Sequence, residues 1–357
     1  MSGIKRFLSK HPFLFSLSAV WSHRKDKAYL AHFSEMQQVV KIDAKPGNLG
    51  KAPVCVFDAK DQIGLFAYLR RAAEFLYYCD RMGFTPLLLW SNSDYYDSSI
   101  KDTDNPFEYF YRQPGGISSI PEGASVVDYA PGSLTAARAF ITARYLSDTG
   151  DAFLRETGKM VGEYLTLTDA AAEAVKNFVR ETEIGEDTLG VHIRGTDIRK
   201  AYKNHPIFVE PADYYPLIDE AISAHGFKRI FLATDDAGIL SEFLDHYKTV
   251  DVRYSGSVIR GTGVLGIHKE AAFNDEISPC REGINALSDA YGLAACGGII
   301  SGMSHLPMFS RMIRFGKNEA FSFDKTINKG FHKKGINATT EKFEQDKKNK
   351  TETTDKA

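Results

Sequence analysis

The sequence lacks the features that mark membrane-spanning, disulfide-stapled or strongly charged proteins. No stretch reaches the roughly eighteen apolar residues that a transmembrane helix needs. The four cysteines are scattered without CxxC spacing, which indicates neither a zinc site nor a disulfide framework. The formal net charge is −2 with both signs interspersed, so the composition does not favour nucleic acid as a partner. These absences predict a small-molecule ligand and a reduced, cytoplasmic setting.

The two ends of the chain differ from the middle. Near the N-terminus, "PFLFSLSAVW" follows three basic residues, but its apolar run is short and no clear small-residue cleavage site follows. We therefore expect a helical extension over residues 1–45 rather than a secretory signal, which leaves a peripheral membrane contact open. Residues 337–357 are almost free of apolar side chains and are predicted to form a disordered tail.

The chain is too long for one ordinary core. With 357 residues, 43% of them hydrophobic and 25% charged, two globular domains are expected. Strand, helix and strand patterns at 53–59, 64–83 and 84–90 begin an N-terminal lobe, predicted at 46–150. A long polar and aromatic loop follows. Helical patterns then run over 134–146 and 153–179, and we assign 151–184 as a helical connection.

The second half alternates strands and helices more regularly. The strand patterns "LGVHIR", "RIFLATD", "VDVRYS" and "GGIISG" are separated by helical patterns, which predicts a doubly wound parallel sheet over residues 185–336. The fold class is therefore α/β, with two Rossmann-type lobes expected to face each other across a cleft.

Polar residues cluster directly after the strand "LGVHIR". His192, Arg194, Thr196 and Asp197 occur within a few residues, at the carboxyl end of a strand, where open α/β sheets bind ligands. The planar guanidinium of Arg194 matches the oxygens of a phosphate. The alternative is a structural ion pair between Arg194 and Asp197.

Two further carboxylate motifs accompany this cluster. "FLATDD" ends a strand with Asp235 and Asp236, and either residue can bind a metal, orient a base or cap the following helix. Asp289 lies among apolar residues of a predicted helix, and a carboxylate there can accept two parallel hydrogen bonds from guanine. A solvated or salt-bridged aspartate is the alternative.

Glycine-rich stretches give weaker signals. "GTGVLG" matches a dinucleotide-binding pattern, but no helix follows to place its amino end on a pyrophosphate, so we expect a loop. There is no P-loop motif. Gly64, at the entry to the first helix, either lets the backbone approach a phosphate or sugar or only starts the helix.

Taken together, "GVHIRGTD", "FLATDD" and "LSDAYGLAACGGIISGMSHL" resemble, in the same order, three motifs of the GDP-fucose-dependent fucosyltransferases of the alpha-1,6 and rhizobial nodulation type and their bacterial relatives. The resemblance covers roughly residues 185–315, and more loosely the segment from "DQIGLF" to "NPFEYFYRQP". It implies a GT-B-like fold, a GDP-sugar donor, a saccharide acceptor such as a glycan or surface polysaccharide, and no metal or other cofactor.

The resemblance also implies roles for individual residues. Arg194 would hold the donor's β-phosphate and His192 would help to hold guanine, while Asp289 would read the base. Ser304 and His305 would contact the pyrophosphate. The alpha-1,6 enzymes carry a second arginine where this chain has Gly195, and a Ser-Gln pair where it has His305 and Leu306.

The implied reaction is an inverting transfer of fucose to an acceptor hydroxyl, for polysaccharide biosynthesis. Asp197, Asp235 and His205 are the candidates for the general base. Two alternatives remain at this stage: a GT-B enzyme that uses another nucleotide sugar, and a protein that binds a GDP-sugar without catalysis, which the glycine at position 195 suggests.

Overall fold

The computed structural model describes most of the chain between Pro53 and Lys334. The described residues are 53–59, 63–129, 151–202, 205–258, 260–261 and 278–334. The predicted N-terminal extension, the helical pattern at 134–146, most of "GTGVLG" and the predicted tail lie outside them. No helix within the described part is long and apolar enough to cross a membrane, and all four cysteines are free thiols.

The N-terminal lobe contains a three-stranded parallel sheet in the order β2-β1-β3. The amphipathic helix α1 packs on it, and the ring of Tyr68 stacks on that of Trp90 with centroids 4.3 Å apart. The two strands and the helix predicted here are confirmed, whereas β3 was not predicted. The elements are β1 (Val54–Asp58), α1 (Leu65–Met82), β2 (Thr85–Leu89), α2 (Phe107–Phe110) and β3 (Val126–Asp128).

The predicted helical pattern at 153–179 forms two helices, α3 (Asp151–Tyr164) and α4 (Asp169–Glu181). Thr168 separates them because its hydroxyl accepts a hydrogen bond from the backbone N–H of Ala171, 3.4 Å away, and so caps α4. The Thr168 N–H donates to the carbonyl of Phe110, 3.0 Å away. This break returns the chain to the N-terminal lobe.

The C-terminal lobe contains a five-stranded parallel sheet in the order β6-β5-β4-β7-β8. Apolar clusters cover both faces: α5 and α6 pack on one face, and α7 packs on the other. The predicted doubly wound parallel sheet is therefore confirmed, and so is the α/β class. The elements are β4 (Thr188–Ile193), α5 (Tyr215–His225), β5 (Arg229–Thr234), α6 (Ala237–His246), β6 (Asp251–Arg253), α7 (Pro279–Ala295), β7 (Gly298–Gly302), α8 (His305–Gly316) and β8 (Phe323–Ile327).

The two lobes share one apolar core. Phe57 and Leu69 of the N-terminal lobe belong to the same buried cluster as Leu287 of α7 and Phe309 of α8. Helix α3 lies along α8, and their backbones touch at Gly162 and Gly316, where a Cβ built on Gly162 would lie 2.4 Å from the Gly316 carbonyl oxygen. Only glycine permits this approach.

This backbone contact leads to a stability prediction. An alanine in the middle of a helix normally stabilises by about 1 kcal/mol relative to glycine, but we expect Gly162→Ala to destabilise by about 2 kcal/mol or more, because the obstructing atoms are backbone. Chemical denaturation measures the difference. Gly256→Ala is the matched control, since a Cβ there meets nothing within 4 Å. Equal stabilities of the Gly162 variant and the wild type would disprove close packing of α3 on α8.

Candidate functional site

The sheet topology of the C-terminal lobe marks one position for a ligand. From the central strand β4 the chain continues to β5 and β6 on one side, and β7 and β8 lie on the other side. The strand order therefore reverses between β4 and β7, and open α/β sheets bind ligands at the carboxyl end of such a switch point. His192 and Ser301 pair across these two strands, so Arg194 after β4 and Ser304 after β7 leave the sheet at the same edge.

His192 lies near the end of β4 and is buried, with 6% of its surface exposed. Burial, together with the positive charges of Arg194 and Arg311, lowers the pKa of His192 to about 3. The imidazole is therefore neutral at physiological pH. Its Nδ1 atom is buried and has no hydrogen-bond partner among the described residues, which is uncommon in a native protein and calls for a ligand or water.

The loop that carries Arg194 is held by the neighbouring strand. Asp235, directly after β5, accepts a hydrogen bond from the Gly195 N–H through Oδ1 and another from the Thr196 hydroxyl through Oδ2, both 2.7 Å long. Both oxygens of Asp235 thus fix the residues that follow Arg194. Asp236 caps α6 by accepting from the Ile239 N–H at 3.0 Å, which confirms the capping alternative for that residue.

Steric contact with Asp236 explains why position 195 is a glycine. A Cβ built there would lie 2.3 Å from Cβ of Asp236 and 2.6 Å from its Oδ2. The glycine lets the loop pack against the start of α6. Any side chain at position 195, including the second arginine of the motif that the sequence resembles, would require this loop to move away from Asp236.

Arg194 is half-buried, and its charge acts on residues of both lobes. Its charge contributes to the lowered pKa values of His192 and His305. Burial raises the pKa of Tyr95 in the N-terminal lobe, and Arg194 opposes that rise. The backbone of Leu65, the first residue of α1, also opposes that rise.

Gly64 directly precedes Leu65, the first residue of α1. It is extended, with φ −65° and ψ 157°, and its carbonyl accepts the Tyr68 N–H at 3.0 Å. Gly64 therefore caps the start of α1. This start lies close to the Tyr95 hydroxyl, whose pKa Arg194 lowers. A donor-binding role for Gly64 stays a prediction.

Asp289 is buried in the middle of α7, with 5% of its surface exposed. Burial raises the pKa of Asp289 to about 7; Arg260 opposes this rise and Glu282 adds to it. Its Oδ1 atom has no hydrogen-bond partner among the described residues. A solvated aspartate is thus inconsistent with the burial. An incompletely paired buried carboxylate is costly, and such a group fits a site that binds donors from a ligand.

The amino end of α8 forms another wall of the site. Ser304 is the N-cap residue, yet its hydroxyl makes no capping hydrogen bond. The backbone N–H groups and the positive end of the helix dipole suit an anion there. A cavity of about 390 Å³ between α3, α8 and β8 reaches Ser304, but His192, Arg194, Asp289 and His305 do not line it, so it is separate from this cluster.

A cluster of basic residues surrounds His305. Burial lowers the pKa of His305 most. The basic groups of Arg70, Arg194, Arg71 and His205 lower it further, in that order of size. Arg70 and Arg71 belong to α1, which packs on α8 through the rings of Phe66 and Phe309, 5.9 Å apart. Their place at the site depends on the contact between the lobes.

Asp197 and His205 follow β4 in the chain. The Asp197 backbone begins a 3-10 helix, Asp197–Lys200, and its side chain lies outside the described residues. His205 is half-buried, and its carbonyl accepts the His332 N–H at 3.0 Å. In the part of the chain that the structure describes, no three His, Cys, Asp or Glu side chains are grouped so as to hold a metal ion.

Comparisons with known proteins give similarities at the level of structure. No family model matches the chain, and no curated protein matches it. Solved structures similar to it include NodZ alpha-1,6-fucosyltransferase soaked with GDP-fucose (15% identity, 74% of this chain and 93% of that chain covered, TM-score 0.43). Fucosyltransferase NodZ from Bradyrhizobium has 16% identity, coverages of 75% and 93%, and a TM-score of 0.41. POFUT1 in complex with GDP-fucose has 11% identity, coverages of 77% and 97%, and a TM-score of 0.44.

The burial of Asp289 leads to a prediction for the nucleotide-free protein. Its pKa, about 7 in the folded state, exceeds the unfolded value of about 3.9, so the native state binds the extra proton between these values. The free energy of unfolding therefore falls as the pH rises from about 4 to 7. At pH 8 we expect Asp289→Asn to be more stable than the wild type by about 1–3 kcal/mol, with the difference vanishing near pH 4.

Denaturant titrations at several pH values test this. Asp324→Asn is the contrasting variant, because Asp324 pairs with the buried Arg311 at 2.6 Å, and its loss should destabilise. An Asp289→Asn variant that is less stable than the wild type at pH 8 would mean that the carboxylate has a structural role.

Proposed function

We propose that the protein is an inverting glycosyltransferase that transfers fucose from GDP-β-L-fucose to a hydroxyl of a saccharide acceptor. One observation carries the proposal: at the switch point between β4 and β7, Arg194 and the amino end of α8 lie at the same edge as His192, a buried side chain with an unpaired polar atom. Asp289, buried with an unpaired oxygen, is linked to this edge by Arg260, whose charge acts on both Asp289 and Asp235. The motif resemblance supplies the identity of the donor.

The base is proposed to bind at Asp289 and His192. Guanine presents its N1–H and 2-amino donors side by side, and an ionised carboxylate accepts both. His192, held neutral, offers one donor and one acceptor nitrogen. Uracil and adenine lack this pair of adjacent donors, so the same carboxylate would be left partly unpaired with UDP or ADP.

The pyrophosphate is proposed to lie at the amino end of α8. Phosphate oxygens can accept hydrogen bonds there from the backbone N–H groups, from His305 and from the Ser304 hydroxyl, which makes no capping hydrogen bond. Arg194 reaches the same region from β4, and Arg70 and Arg71 add positive charge from the N-terminal lobe. The anion is thereby contacted from both lobes.

The chemical step breaks the bond between the anomeric carbon of the sugar and the β-phosphate oxygen. Negative charge grows on that oxygen as GDP leaves, and the guanidinium of Arg194 stabilises the transition state more than the ground state. The acceptor oxygen bonds to the anomeric carbon from the opposite face, so a β-linked donor gives an α-fucoside. A general base takes the proton of the hydroxyl.

Asp197, Asp235 and His205 remain the candidates for that base. The two hydrogen bonds of Asp235 support a role in positioning Arg194, whereas the influence of His205 on His305 supports its closeness to the pyrophosphate end of the site. The cytoplasmic setting and the function in polysaccharide biosynthesis belong to the same proposal.

Nucleotide selectivity is the first test. Isothermal calorimetry should give a GDP affinity about tenfold or more above that of UDP and ADP. With those two nucleotides a carboxylate oxygen of Asp289 stays without a donor, which costs about 1–3 kcal/mol. Asp289→Asn should remove most of this preference while the protein stays folded. Equal binding of the three nucleotides would refute the guanine assignment and favour another nucleotide sugar.

Arg194→Lys tests the chemical step. Lysine keeps the charge but loses the planar pair of donors, so turnover should fall about a hundredfold or more, with the melting temperature nearly unchanged. Arg229→Lys, at the opposite edge of the same sheet, is the control and should retain turnover. A lowered melting temperature with normal turnover would identify Arg194 as a structural ion-pair residue. GDP binding without any transfer in the wild type would identify a binding protein.

A further inference from the structure

The loop between β6 and α7 connects two walls of the proposed base site. The structure describes its first part, Tyr254–Gly261, except for residue 259, and residues 262–277 lie outside the described part of the chain; Tyr254–Gly261 is called the loop below. At its end the Gly261 N–H donates to the Asp235 carbonyl at 3.1 Å, and the Gly261 carbonyl accepts the Ala237 N–H at 3.3 Å. Near its middle the Ser257 carbonyl accepts Nδ2 of Asn285 at 3.0 Å. The loop is thus attached both to the carboxyl end of β5 and to α7.

Arg260 is fixed within this loop by neutral groups. Its Nη2 donates to the Ser255 carbonyl at 2.8 Å and its Nη1 to the Val258 carbonyl at 3.3 Å. The guanidinium lies over the ring of Tyr254, 5.4 Å from the centroid, within the range of a cation–π contact. Its Nε is buried without a hydrogen-bond partner among the described residues. These contacts hold the cation in place without neutralising it.

The Tyr254–Gly261 loop lies against the face of α7 that carries Asp289. Asn285, which binds the loop, is four residues before Asp289, and residues at this spacing share one face of a helix. Burial raises the pKa of Asp289 and lowers that of Arg260, and the opposite charge of each residue opposes the shift of the other. The other charged groups involved are Glu282, which acts on Asp289, and Asp235, which acts on Arg260.

We propose that Arg260 is a positioning residue for base recognition: it keeps Asp289 in the ionised form that accepts both guanine donors, and so sets the lower pH limit of nucleotide binding. The inference rests on the proposed function for its ligand. A protonated carboxyl has one donor and would face a second donor on the base. Without Arg260, Glu282 remains as the charged neighbour, and a carboxylate beside another carboxylate holds its proton more tightly.

The test compares GDP affinity at pH 5.5 to 9 for the wild type, Arg260→Gln, Arg260→Met and Arg260→Lys. The ratio of variant to wild-type affinity is the relevant quantity, since the titration of the phosphates cancels in it. For the two neutral variants we expect the midpoint of binding to rise by about one pH unit or more, which gives about a tenfold loss at pH 7 that is largely recovered at pH 9. Arg260→Lys should stay near the wild type at every pH. His192, with a pKa of about 3, does not titrate in this range.

Arg253→Met is the matched control. Arg253 lies at the end of β6 and pairs with Asp251 and Glu183, so its loss should leave the affinity ratio at one across the pH range. A constant ratio for the neutral Arg260 variants, whatever its size, would overturn the inference, because a residue that only shapes the loop weakens binding equally at all pH values.

A nucleotide-free measurement separates this inference from the proposed function. At pH 8, Arg260→Gln should lower the melting temperature when Asp289 is present and have a much smaller effect in the Asp289→Asn background. Additive effects in this double-mutant cycle would overturn the coupling between the two residues. If the wild type bound no GDP at any pH, the proposed function would fail, and the cycle would still decide the role of Arg260.

Discussion

The site depends on the pair of hydrogen bonds by which Asp235 holds the chain after β4. Parallel strands end at one edge of a sheet, but their side chains diverge unless the loops beyond them are fixed. Asp235 joins the ends of β4 and β5 at Gly195 and Thr196. The close packing of Gly195 on Asp236 makes the same junction rigid. Arg194 therefore projects from an anchored backbone, which the charge-stabilising role proposed for it requires.

The site also contains groups that oppose folding. His192 and Asp289 are buried with polar atoms unpaired, and the basic groups of Arg70, Arg71, Arg194 and His205 all act on His305, although Arg70 also pairs with Glu74. A protein selected only for stability would satisfy or replace these groups. Buried polar atoms without a partner also occur elsewhere, as at Trp90 Nε1, so it is the grouping of titratable residues at the edge between β4 and β7 that supports the proposed binding site.

Local pattern was sufficient for the elements with clear periodicity. The alternation in β4 and the apolar faces of α1 and α7 predicted elements that the structure confirms. The edge strand β8, "FDKTI", was missed because it alternates weakly and carries two charges. The break between α3 and α4 depends on one capping threonine, Thr168, whose neighbours still follow a helical pattern.

The candidate site was predictable where its residues follow a strand or interrupt a helix. Arg194 and Asp289 fall into that class, because a polar residue at a strand end or on an apolar face is visible in the sequence. Arg70 and Arg260 do not. The first lies on an amphipathic helix, where a basic residue is ordinary, and reaches the site through the packing of α1 on α8. The second lies in a loop whose position is fixed by Asn285 and Asp235.

The glycine contact between α3 and α8 restrains the wall of the proposed anion site. Helix α8 cannot slide along α3 without lifting one backbone off the other, because no side chains lie between Gly162 and Gly316 to rearrange. The donors at the amino end of α8 therefore keep their positions as a bound anion gains charge and leaves. For the anion proposed to bind there, the reorganisation free energy at that wall is therefore small.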